Sequence, residues 1–251
     1  MMTDTLVILT ERTKYFLNNM INMWQLNLDS KVQVKEILGS KIYQIDNVFE
    51  TPKKLERFLF NRESFPIQGE PWTRNQYYYQ KERYTDFKDE SAPLAIVAER
   101  LCGQQLGNYG AFSTNVESWQ HNVYNKPETH YWFPHLDNGY TCIVYFNIEN
   151  SNGTNLYHPD LKEKDWFKKL MKPDIPKGKT PWIPKEDVEL VTELTPSYNR
   201  MVLFDGSFFP HGSAVTNKIY FSDQPKSLNC RKNLCFFYYP KNETEKETET
   251  K

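Results

Sequence analysis

The stretch Pro134–Asn147, PHLDNGYTCIVYFN, decides how this chain is read. It sits in a text that, from about Phe112 onward, consists of short strands separated by turn residues, the pattern of an all-β jelly roll or barrel. Within it, His135-Leu136-Asp137 sets two metal-ligating side chains two residues apart, on one face of the chain if the segment is a strand. Far downstream, Phe204–Val215 (FDGSFFPHGSAV) supplies His211. The three together would form a facial set of two histidines and one carboxylate, which leaves the other positions of an iron(II) ion open, as oxygen activation requires. His-x-Asp alone is common. It gains weight from Asn199–Gly206 (NRMVLFDG), which leads into the second histidine, and from Arg231–Pro240 (RKNLCFFYYP), which closes the apolar part of the chain.

Upstream, residues 1–40 fit a helix or a strand–helix pair equally well. Lys31–Leu38 and Lys41–Phe49 alternate as strands. Thr51-Pro52 opens a helix through Phe60, with threonine as N-cap and proline in the first turn. Ala92–Gly107 predicts a second helix, stopped by Gly107. Gln68–Phe87 between them is aromatic-rich without a clear period and predicts a loop. Helices first and strands afterwards give an α+β, mainly β class, with a jelly-roll core braced by N-terminal helices. One domain is expected over 1–240, with support to about residue 110 and the core over about 111–240. The charged tail 241–251 is expected to be disordered. His158–Leu190, rich in lysine and proline, is an excursion that reads equally well as a surface insert or a substrate lid.

The 16 Tyr, 16 Phe and 6 Trp suit a half-buried pleated sheet. A net charge of −1 without a basic block gives little electrostatic support for a sequence-independent grip on nucleic acid, and leaves a local basic groove open. Cys102, Cys142, Cys230 and Cys235 show no CxxC pairing and read as reduced thiols. With no signal-peptide pattern at the N-terminus and no apolar run near ~20 residues, the expectation is a soluble cytoplasmic protein.

The pieces Tyr124, His135-Leu136-Asp137, Tyr145-Phe146-Asn147, Asn152-Gly153-Thr154, Arg200–Phe204, His211 and Arg231–Leu234 follow one another as in a known family. Over Phe112–Pro240, about half of the chain, the sequence resembles the double-stranded β-helix core of the iron(II)/2-oxoglutarate-dependent dioxygenases. It is most similar to the prolyl-4-hydroxylase-like branch and its small, often phage-encoded relatives, for which host cytoplasm would be the setting. The resemblance implies metal ligands His135, Asp137 and His211. It also implies iron(II), 2-oxoglutarate as co-substrate, and ascorbate as a candidate for keeping the metal reduced. The reaction implied is hydroxylation of a C–H bond in a peptide or amino-acid side chain, with release of succinate and CO2. Asp137 favours hydroxylation over halogenation, because related halogenases lack the carboxylate.

The family holds the far carboxylate of 2-oxoglutarate with an Arg or Lys about ten residues past the second histidine. Here Arg231 comes twenty residues after His211, beyond what reads as an inserted loop, with Lys218 and Lys232 as rivals. The period of two puts Arg231 and Asn233 on one face and Lys232 on the other, and Asn233 stands where the family has a serine. Tyr124 is a further contact in the resemblance, and a buried structural tyrosine is an equal alternative.

His121, His130 and His158 lack matching surroundings and read as ordinary histidines. His130 is the main rival ligand, but its odd spacing from His135 faces the other side of a straight strand. Two other classes remain open: a non-catalytic jelly-roll binding protein with a vestigial metal site, and a zinc-type hydrolase, for which no separate base motif is found.

Overall fold

The computed structural model describes residues 23–60, 65–66, 78–84, 92–119, 128–132, 134–146, 153–170, 182–214 and 232–240. Tyr124, Lys218, Arg231, His121, Cys230, residues 1–22 and the tail lie outside these residues, so the readings made of them find no counterpart here.

Strands β1 (Val32–Ile37) and β2 (Ser40–Ile45), expected from their alternation, pair with each other as a hairpin. The helix α1 (Pro52–Phe60) starts at the predicted proline. Then follow β3 (Phe65–Pro66), β4 (Tyr78–Tyr84), α2 (Ala92–Cys102), β5 (Leu106–Trp119), β6 (His130–Trp132), β7 (Tyr140–Tyr145) and β8 (Thr154–Tyr157). A 3-10 turn over Pro159–Glu163 leads to α3 (Asp165–Leu170), β9 (Trp182–Pro184), β10 (Leu190–Leu194), β11 (Arg200–Asp205), β12 (His211–Ser213) and β13 (Lys232–Pro240).

Two expectations change. The second helix ends at Cys102 rather than Gly107, because Gly103 takes the left-handed conformation (φ 69°). The amides of Gly103 and Gln104 both close back on the Glu99 carbonyl, at 2.8 and 3.2 Å. Gly107 belongs to β5, so the β core begins at Leu106. The aromatic stretch expected to be a loop contains β4, which pairs along β5 from Tyr78↔Trp119 to Tyr84↔Phe112. Its residues show no period because a strand can be held by its backbone ladder without an apolar face of its own.

The larger sheet runs β1-β2-β11-β7-β13-β5-β4-β3, and a smaller one runs β10-β8-β12. A bridge between His135 and His211 extends the smaller sheet beyond β12. From β5 onward the chain passes from the larger sheet to the His135 segment, back to β7, across to β8 and β10, back to β11, across to β12, and back to β13. That alternation is a double-stranded β-helix, so the class is α+β and mainly β, with a jelly-roll core.

Register separates the layers. On one face of the larger sheet Cys142, Val144, Met201, Leu203, Leu234, Phe236 and Tyr238 meet Leu55 and Leu59 of α1, Leu94 and Ala98 of α2, and Trp24. The other face, with Ile143, Tyr145, Val202, Phe204 and Cys235, packs on Leu156 of β8 and on Phe209. Beyond the smaller sheet, Tyr157 joins Leu161, Phe167, Ile183 and Val188 in a third cluster, with Tyr131, Leu136 and Trp166 packed against it. The described parts of the 158–190 excursion therefore carry a core of their own. That core touches Leu136, the residue between the two predicted ligands.

Asn199 fastens the N-terminal part to this body. It sits at φ 62°, and its side chain accepts from the Phe49 amide (3.1 Å) and donates to the Phe49 carbonyl (2.8 Å). Among the described residues, no helix is long and apolar enough to cross a membrane.

Candidate metal centre

The two motif segments reach each other through their backbones. His135 and His211 exchange both amide–carbonyl bonds at 2.8 Å, and the Asp137 amide donates to the Gly206 carbonyl at 3.0 Å. His135 and Asp137 precede β7 on an extended segment instead of lying within a regular strand as the spacing suggested. The period of two still holds, because alternate residues of that segment bond to Gly206–His211. The turn that delivers His211 is tied by Asp205, whose carboxylate accepts from the amides of Ser207 (2.9 Å) and Phe208 (3.0 Å). Gly206 is required there. A Cβ on it would lie 2.2 Å from Thr141 Oγ1 and 3.1 Å from Asp137 Cβ.

The ligand atoms of His135, Asp137 and His211 all lie within 4.8 Å of one another. Nε2 of His211 is 3.1 Å from Asp137 Oδ2, and Nε2 of His135 is 4.0 Å from Asp137 Oδ1. Metal bonds of ~2.1 Å at right angles would set neighbouring ligand atoms ~3 Å apart, so small side-chain rotations suffice to close the set on an ion. The Phe209 carbonyl lies 3.0 Å from Nδ1 of His211, which places a proton on Nδ1 and turns Nε2 toward the carboxylate. Phe204 packs its ring edgewise on His211 at 4.9 Å. His211 is buried at 3%, whereas His135 has 46% of its side-chain surface open, so the centre faces solvent on the His135 side.

The electrostatics suit a cation. Burial alone would raise the Asp137 carboxyl. The hydrogen bond and charge of His211, with smaller contributions from His135 and Thr141, outweigh it and hold the group down at about 2. Desolvation and the neighbouring His211 lower the His135 imidazole, against an opposing pull from Asp137. Because His135 is so open, that shift is smaller than full burial would give. A neutral imidazole and an ionised carboxylate are the forms that ligate.

The structure also sorts the remaining candidates. Asn233 is 3% exposed and lies directly opposite Tyr145 on β7, on the sheet face shared by Cys235 and the metal-side core. Lys232 points the other way, into an ion pair with Glu56 of α1 at 2.9 Å, and the Tyr198 hydroxyl donates to the second Glu56 oxygen at 3.0 Å. His130 contacts the Thr129 hydroxyl at 2.8 Å and His158 accepts from the Asp160 amide, both apart from the triad.

Thr141 went unnoticed in the sequence, and Tyr145 was read only as part of the Tyr145-Phe146-Asn147 piece, without a role of its own. Thr141 is 2% exposed, and its hydroxyl donates to Asp137 Oδ2. Tyr145 is fully buried, with its hydroxyl 2.7 Å from that of Thr154 across the two sheets. Position offered a signal for both, since Thr141, Ile143 and Tyr145 share the face of β7 turned to the triad.

No protein-family model matches the sequence, and no curated protein is significantly similar to it. Among solved structures, the chain is similar to the non-heme alpha ketoglutarate dependent epimerase SnoN from nogalamycin biosynthesis. The identity is 13% over 79% of this chain and 76% of that one, with a TM-score of 0.44. It is also similar to HygX from Streptomyces hygroscopicus, whose structure holds nickel and 2-oxoglutarate (11% identity, 93% and 88% covered, TM-score 0.43). AviO1 from Streptomyces viridochromogenes Tue57 is a third (12% identity, 76% and 80% covered, TM-score 0.39). Likenesses this distant leave the reading of the site to its own residues.

Proposed function

We propose that this protein is an iron(II)- and 2-oxoglutarate-dependent dioxygenase that hydroxylates a C–H bond of a peptide or amino-acid side chain and releases succinate and CO2. The observation that carries the reading is the convergence of His135, Asp137 and His211 from two distant segments, with ligand atoms within 4.8 Å and one side of the set open. Three protein ligands with vacant positions suit oxygen-activating iron, where a structural zinc site would be closed by a fourth.

Iron(II) with its co-substrate would supply the oxidising chemistry. The chain's own residues do the rest. The Phe209 carbonyl fixes the His211 tautomer, and Phe204 walls the ring from water. The face of β7 and β13 that starts at Thr141 and Phe237 ends at Tyr145 and Asn233, four residues and ~13 Å along the strand. On it, Tyr145 and Asn233 offer hydrogen bonds to a dicarboxylate reaching inward from the metal. The ion pair of Lys232 with Glu56 turns that lysine to the α1 side, which leaves Arg231, with Lys218 as its rival, as the proposed balancing cation.

The test is an anaerobic iron(II) titration with and without 2-oxoglutarate. A weak visible charge-transfer band that needs both components, and succinate release in air, are expected. Asp137→Ala should lose both while keeping the wild-type far-ultraviolet dichroism. A folded wild-type protein that binds iron(II) without developing the band would instead favour the non-catalytic binding protein.

A further inference from the structure

We infer that Thr141 is a positioning residue for the metal: its hydroxyl pins one oxygen of Asp137 and so sets the carboxylate toward His135 and His211. This rests on the metal-site reading above and extends it to a residue that touches no substrate or co-substrate. The geometry is specific. The Thr141 side chain is 2% exposed, and its hydroxyl donates to Asp137 Oδ2. Gly206 makes the contact possible, since any side chain there would start 2.2 Å from the Thr141 oxygen. Thr141 is itself held by the sheet, opposite Phe204 on β11 and Phe237 on β13.

A carboxylate on a flexible segment can chelate a metal through both oxygens and occupy a position that oxygen or co-substrate needs. Oδ2 receives the hydroxyl anchored on a central strand and lies 3.1 Å from His211 Nε2, while Oδ1 faces His135 Nε2 at 4.0 Å, so the carboxylate plane is set before the ion arrives. An O–H···O⁻ bond is charge-assisted and short, and both partners here are shielded, with Thr141 at 2% and the Asp137 side chain at 12% exposure. Groups that orient a ligand in this way are typically worth about 10- to 100-fold in metal affinity.

The experiment uses cobalt(II) alone as a spectroscopic probe, with affinity measured by competition against a chromophoric chelator at fixed pH. Wild type, Thr141→Val, Thr141→Ser and Asp137→Ala are compared, with apoprotein melting followed in parallel. Thr141→Val should bind cobalt(II) about 10- to 100-fold more weakly and with an altered visible spectrum. Thr141→Ser, which keeps the hydroxyl, should restore both. A merely structural role would lower apoprotein melting in the valine variant without moving cobalt affinity or spectrum, and that result overturns the inference. Should the valine variant not fold, Thr141→Ala poses the same question with the same two readouts. If wild type itself binds no cobalt(II), or binds it no better than Asp137→Ala, the metal-site reading fails first and the role of Thr141 with it. Tight wild-type binding that Thr141→Val leaves unchanged removes Thr141 alone.

Discussion

Exchanging Lys232 for methionine should cost stability and leave co-substrate binding alone, whereas the same exchange at Arg231 should do the reverse. Lys232 Nζ lies 2.9 Å from Glu56 Oε1, with 14% of the lysine and 23% of the glutamate side chain exposed. At an effective dielectric of ~20 the gross attraction at this distance is ~6 kcal/mol, most of it offset by desolvation of both groups. Removing the lysine leaves Glu56 with the Tyr198 hydroxyl as its remaining hydrogen-bond partner in that pair of contacts. A net loss of about 1–3 kcal/mol follows, a sizeable share of the roughly 5–15 kcal/mol that holds a domain together. The lysine is on the α1 side of β13, so nothing is removed from the metal side. Arg231→Met should weaken 2-oxoglutarate at least tenfold, equivalent to ~1.4 kcal/mol, with little change in unfolding. Urea denaturation gives the first quantity, and the visible band of the iron(II) complex titrated with 2-oxoglutarate gives the second. A tenfold loss of 2-oxoglutarate affinity in Lys232→Met with an unchanged urea midpoint would refute the reasoning, because it would put Lys232 on the metal side.

Two further outcomes are expected. Asn199→Ala leaves the buried amide and carbonyl of Phe49 without their side-chain partners and forces alanine to φ 62°, so urea unfolding should show a loss of about 3–6 kcal/mol. Asn199→Gly should recover only the backbone part, about 1 kcal/mol, and a loss below that in the alanine variant would remove the latch from the account. Burial, partly countered by a hydrogen bond with Tyr140 and reinforced by Asp205, pushes the Cys102 thiol up to about 11, and burial raises Cys142 further. Since the thiolate is the nucleophile, a raised value means less of it near neutrality. Native protein treated with iodoacetamide at mildly alkaline pH should stay unlabelled at both positions until urea is added; rapid native labelling of Cys102 would contradict this.

Features whose cause lies within a few residues were legible in the sequence. The strands β1 and β2, the start of α1 and the pairing of His135 with Asp137 follow from alternation, from Thr51-Pro52 and from a spacing of two. β4 was not legible, because its partner β5 is an antiparallel strand reached only after a helix, and its own residues carry no apolar period. The stop of α2 was misplaced by four residues, since Gly103 and Gly107 look alike as letters and differ only in φ. Thr141 was invisible for a related reason: a threonine in a strand is ordinary, and its role exists only because Gly206, sixty-five residues later, leaves room for it.

The parity of β13 shows how far a local pattern can be carried. Alternation placed Arg231 and Asn233 on one face and Lys232 on the other, but both faces are apolar enough that hydrophobicity could not say which was the interior. Long-range pairing decides this. Asn233 lies opposite Tyr145, whose hydroxyl reaches Thr154 on the smaller sheet, while Lys232 meets Glu56 on the helix that covers the outer face. A single ion pair between residues 176 positions apart thus marks which face of β13 is turned to α1. The same contact explains why a lysine is tolerated there: its charge is balanced by α1, so the site can leave it out.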